Sequence, residues 1–140
     1  MIELIDNRTA SAIDVAIQKF ETPVGTLYAA QHHGRIKRCF SRDTAIRYLA
    51  YFMTSHAFVR SGFMERHPDV RETRPEGEVW VRGGVTVNYH YAHQRCVRRL
   101  RRILAHKRDM QKWCEKWDAM HDRYVKERDE LQANKPEGIR

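Results

Sequence analysis

The sequence predicts an α+β chain, on three observations. Two stretches of strand-forming residues break at glycine-containing turns within the first ninety positions, a helix with signals at both ends stands between them, and neither Gly nor Pro occurs from Val85 to Lys135. At 140 residues the chain has the length of one compact domain. It can hold a single core, which excludes TIM barrels and two-domain dinucleotide-binding enzymes. No apolar run is long enough to span a bilayer, and Met1–Asp6 lacks a basic stretch leading into an apolar one, so no signal peptide is expected. With three cysteines, Cys39, Cys96 and Cys114, and no CxxC pair, the chain suits a reducing compartment, and a cytoplasmic location is expected.

The elements follow in order. Residues 1–65 form an N-terminal α+β region. Its first stretch, from Asn7 to about Glu21, spaces Ala12, Ile13, Ala16, Ile17 and Phe20 as a helix would, with Thr9 as a possible cap, while the alternation Ile13, Val15, Ile17 also fits a strand. Gly25–Ala30 and Arg35–Phe40 flank His32-His33-Gly34 and read as a β-hairpin. Ser41 precedes a helical run with Ala45, Ile46, Leu49, Phe52, Met53 and Val59, and Gly62 lies just past its end. Residues 66–77, with Pro68 and Pro75, read as a loop. A second hairpin is expected at 78–88, because Gly83-Gly84 supplies the turn chemistry between Val79–Arg82 and Val85–Asn88.

Residues 89–134 read as a long helix, basic first and mixed in charge later, followed by a tail at 135–140. Unbroken, it would be about 65 Å long at 1.5 Å per residue and must pack against something. Alternate steps of four and three from Cys96 give a heptad series in which Leu100, Ile103, Met110, Trp117, Tyr124 and Leu131 are the apolar members. This seam is expected to join two copies of the chain as a homodimer or higher homo-oligomer. A helical hairpin, or one helix laid on the N-terminal region, stays open.

Charge is what separates this chain from an ordinary small domain. Lys and Arg number 26 against 18 Asp and Glu, a net charge of +8. Val79 to Arg108 contains no acidic residue and eight basic ones, so the whole excess lies there. Five arginines fall between Arg95 and Arg102, where mutual repulsion opposes folding unless an anion relieves it. A solvated face whose arginine stems cover apolar surface is the bland alternative. On a helix Arg95, Arg98, Arg99 and Arg102 share one face, and their guanidinium forks suit phosphate oxygens; Arg101 and Arg108 point elsewhere. Trp80, Tyr89 and Tyr91 could stack on bases, and Asn88, His90 and His93 could add hydrogen bonds.

Other chemistries find less support. His90, His93 and Cys96 could share a helical face, but structural zinc uses four ligands in close pairs, so no metal and no cofactor is expected. There is no GxSxG, GxxxxGK[ST] or GxGxxG, and Glu72, Glu76 and Glu78 lie in the loop, so no catalytic residue and no enzymatic activity is expected.

A short, basic α+β chain with no catalytic motif and one concentrated cationic helix resembles, in architecture, the small accessory proteins of bacteriophages. Among these are anti-defence factors that occupy nucleic-acid surfaces of CRISPR complexes or sequester nucleotide second messengers. The resemblance implies a phage protein that binds nucleic acid or a nucleotide. The residues themselves point to a phosphate-bearing partner on the arginine face, with DNA, RNA and small nucleotide left open and no membrane involved. The alternative is a protein-interaction module that docks on an acidic protein complex.

Overall fold

The computed structural model describes residues 8–139; Asn7, where the first helical stretch was expected to begin, and the other residues of 1–7, together with Arg140, lie outside the described residues. The fold is α+β. In chain order the elements are α1 (Ala12–Ala16), β1 (Ile17–Thr22), β2 (Gly25–His32), β3 (Arg35–Cys39), α2 (Arg42–Ser61), β4 (Val70–Arg74), β5 (Gly77–Val81) and α3 (Val87–Ala133). Two compact units divide the chain, one ending at Leu104 and the other starting at Ala105.

In the first unit β1, β2 and β3 form an antiparallel sheet in that order, with Ile17 opposite Ala30 and Tyr28 opposite Cys39. Ala30 is fully buried and packs in one cluster with Ala45, Ile46, Leu49 and Ala50 of α2. Alanines on both sides let the helix lie close to the sheet, and Ile13, Val97 and Leu100 complete the core.

The signals at the ends of α2 operate as read. The Ser41 side chain accepts from the Thr44 amide at 3.4 Å, and Gly62 takes the left-handed conformation, φ 77°, donating its amide to Phe58 O at 3.0 Å. The β2–β3 hairpin also stands where expected.

Three expectations need correction. The Asn7–Glu21 helix is only five residues long and is preceded by Ser11 rather than capped by Thr9; from Ile17 the chain is strand, because pairing with β2 outweighs local helical spacing. The second hairpin is displaced. Its strands are β4 and β5, with Val70 opposite Val81 and Thr73 opposite Glu78, so the expected 66–77 loop contributes β4 and the turn is Pro75-Glu76. An Arg71–Glu78 ion pair and an Arg74–Glu72 pair at 3.1 Å brace it.

Gly83-Gly84, expected as the turn of that hairpin, is not a hairpin turn. A Cβ on Gly83 would sit 1.9 Å from the His67 carbonyl oxygen, so the glycine serves a close approach of two backbones. There the His67 amide donates to Gly84 O at 2.9 Å and the Gly83 amide donates to Asp69 Oδ1 at 3.0 Å. This pairing leads into α3. The Thr86 hydroxyl donates to Met64 O at 2.9 Å and accepts from the Tyr89 amide at 3.2 Å, starting the helix two residues earlier than expected. α3 then runs 47 residues as one helix.

Candidate nucleic-acid interface

The first four turns of α3 have two faces. Tyr89, His93, Val97 and Leu100 are buried, and their spacing of four, four and three places them on one line along the helix. At roughly 100° per residue, Asn88, Tyr91, Arg95, Arg98, Arg99 and Arg102 fall on the opposite side, about half a turn away. All six are exposed. The arginine face therefore points away from the core of its own unit and is convex. From Arg95 to Arg102 it covers about 10 Å of helix axis, and from Asn88 about 21 Å.

Among the described residues, neutralisation reaches one arginine of this run. Arg101, on the flank, donates through Nη2 to Asp43 Oδ1 at 2.7 Å, and the same carboxylate takes Arg47 Nε on its other oxygen at 3.1 Å. Among the described residues no carboxylate lies within ion-pair distance of Arg95, Arg98, Arg99 or Arg102. Four guanidinium groups thus stand together, among the described residues, without a counter-charge at ion-pair distance.

Tyr89 and His93, expected among the contact residues, are buried and belong to the fold. The single Ser55 hydroxyl proton goes to Glu65 Oε1 at 2.8 Å, so Ser55 Oγ accepts from the Tyr89 hydroxyl at 2.7 Å. Burial pushes the Tyr89 phenol up, and the nearby Glu65 carboxylate adds to the rise. The His93 ring stacks on Tyr51 at 3.6 Å, and its Nε2–H donates to Arg47 O at 3.1 Å. Burial holds its pKa below the usual value while the Arg47 carbonyl pulls the other way.

The remaining contact residues are scattered. Tyr91 is exposed on the arginine face. His90 is exposed at the rim of a cleft of about 180 Å³ lined also by Tyr51, Glu65, Arg66 and Val85. Trp80 is 70% exposed, but it stands opposite Arg71 in the β4–β5 hairpin, and among the described residues no ring contact joins it to α3. Sequence reasoning missed the cleft. Its walls join Tyr51 of α2 and the loop residues Glu65, Arg66 and Val85 to three residues the sequence did single out, Tyr89, His90 and His93 of α3; the loop residues meet them only through tertiary pairing, so no local spacing announces the cleft.

A three-histidine cluster was also not foreseen. His33 stacks on His56 with ring centroids 3.6 Å apart, and His32 meets His33 edge-on at 4.0 Å. Among the described residues no group of three His, Cys, Asp or Glu side chains is arranged to hold a metal ion. His93 cannot join His90 and Cys96 as a ligand through Nε2, which is engaged by the Arg47 carbonyl.

Leu100 also needs correction. It is buried in the intramolecular core beside Val97 and offers nothing to a second chain. Comparison with protein-family models, with curated proteins and with solved structures gives no match to this chain. Among the described residues no helix is long and apolar enough to cross a membrane.

Proposed function

We propose that this chain is a non-enzymatic binding protein whose α3 lays Arg95, Arg98, Arg99 and Arg102 against the phosphates of a nucleic acid. The observation that carries the reading is the convex, internally uncompensated arginine face. A small nucleotide with a few phosphates is gripped by donors that converge in a concave pocket. Here the forks fan outward along about 10 Å of helix, which suits charges spread over a polymer. An α-helix fits the roughly 12 Å major groove of a duplex, and Tyr91 on the same face can meet a sugar or base edge. An anti-defence role among nucleic-acid complexes is compatible with this surface and rests on the resemblance in architecture alone.

The test is anisotropy of a fluorescent duplex titrated with protein at several salt concentrations. Affinity should fall with salt, and replacing Arg98 and Arg102 by Gln should flatten the log–log slope by about 1.8, at roughly 0.9 per phosphate contact. An unchanged slope, or no binding at low salt, removes the reading. In the second case an acidic protein that binds the wild type and not the variant becomes the better account of the arginines.

A further inference from the structure

In the second unit the rows of α3 fall in a different phase from the one the sequence suggested. Trp113 is 63% exposed, Trp117 41%, Met120 51% and Tyr124 60%, whereas Cys114 is buried at 8%. Met110, Trp113, Trp117, Met120 and Tyr124 are separated by steps of three, four, three and four. That is a heptad seam with Trp113 and Met120 where the steps of four and three counted from Cys96 fall on Cys114 and His121. Among the described residues, α3 is the only regular element of this unit, so nothing within the unit covers these side chains.

We propose that this face is covered by the same face of a second copy of the chain, lying antiparallel. The inference goes beyond the nucleic-acid reading and depends on none of its residues. Three features choose the occupant. First, a parallel pair in register would set Glu127, the next seam position, against its own copy inside the seam, and Arg123 against the partner's Arg128 beside it. Second, an antiparallel pair centred between Trp113 and Trp117 puts Trp113 beside the partner's Trp117 and Met110 beside the partner's Met120, each twice by symmetry. The same register brings Asp109 beside the partner's Arg123, also twice, and neither residue has an ion pair among the described residues. Lys116 meets its copy near the axis, where both stems can turn outward.

Third, the area is adequate. Rings of this size carry on the order of 150–250 Å² each, so at their observed exposure the three aromatic residues of both chains supply on the order of 700 Å². The two methionines and the flanking stems bring the interface to the roughly 1,000 Å² of a specific contact.

Sedimentation equilibrium of the full chain, with no nucleic acid present, tests the proposal. The wild type should be a dimer, and Trp117→Glu should be a monomer that keeps its helical circular dichroism. Asp109→Arg and Arg123→Asp should each weaken dimerisation roughly tenfold, and the two together should restore it, because each chain's reversed charge again meets its opposite. A wild type that stays monomeric up to about 100 µM overturns the proposal. So does a dimer whose double charge reversal is weaker than either single one, since the pairs then do not face each other. Loss of duplex binding with an intact dimer would count against the nucleic-acid reading only.

Discussion

Arg101 of α3 and Asp43 in the first turn of α2 are joined at 2.7 Å, and this pair separates one arginine of the cationic run from the four beside it. Both side chains are about half exposed, and Asp43 also holds Arg47. Water screens such a pair, so Asp43→Asn should cost less than about 1 kcal/mol in urea unfolding. Releasing Arg101 should steepen the salt dependence of duplex binding by no more than one phosphate's worth, about 0.9. A loss of several kcal/mol would instead make the pair a structural strut.

Ser55 is the hinge of the buried polar chain that ends on Tyr89. Tyr89→Phe removes the donor and leaves Ser55 still bonded to Glu65, so the cost should lie near 1 kcal/mol. Ser55→Ala strands the buried phenol, worth about 1–3 kcal/mol when left without a partner, and also takes the hydroxyl from the part-buried Glu65, so it should be the more damaging change. Because the two residues share one network, the double variant should fall short of the sum. Chemical denaturation of the three proteins decides it, and strict additivity would mean the hydrogen bond is not made in solution.

The two adjacent glycines should respond in opposite ways. Gly83→Ala drives a methyl into the His67 carbonyl, a backbone atom that cannot swing aside, and should cost on the order of 1–3 kcal/mol. Gly84 has open space where its Cβ would be and no positive φ, so Gly84→Ala should change stability by less than about 0.5 kcal/mol. Thermal melts of the pair provide the measurement. Equal melting temperatures would place the close approach elsewhere.

Those glycines also show where the sequence stops being legible. α2 could be read end to end because Ser41 and Gly62 act on their own neighbours, and α3 because its continuity needs only the absence of breakers. Gly83-Gly84 fits a hairpin turn equally well by local chemistry; only the strand-like pairing of 65–67 with 84–86, seventeen or more residues away, reveals its use. Ile17 belongs to a strand for the same reason, since Ala30 waits opposite. Within α3 the arginine face was readable from spacing alone. Which apolar row turns to the chain's own core was not, and Leu100, a member of the heptad series, lies in that row. Tyr89 and His93 carry types that suit a ligand, and burial against α2 assigns them to the fold.

Acid should loosen the first unit through its histidines. Partial burial, reinforced by neighbouring rings, lowers the pKa of His32, with His33 and His56 contributing; for His56 partial burial leads, followed by His33 and the Arg60 guanidinium. His93 is lowered chiefly by burial as well. A folded-state pKa below the unfolded value near 6.5 means the unfolded chain takes up protons first. The stabilisation is therefore complete above about pH 6.5 and drains away as pH falls through the lower folded-state values. Urea midpoints measured at a series of pH values should decline on the acid side of about pH 6.5, and His32→Gln with His56→Gln should make that decline shallower. An identical pH profile in the variant would show that these rings are as free to protonate in the folded chain as in the unfolded one.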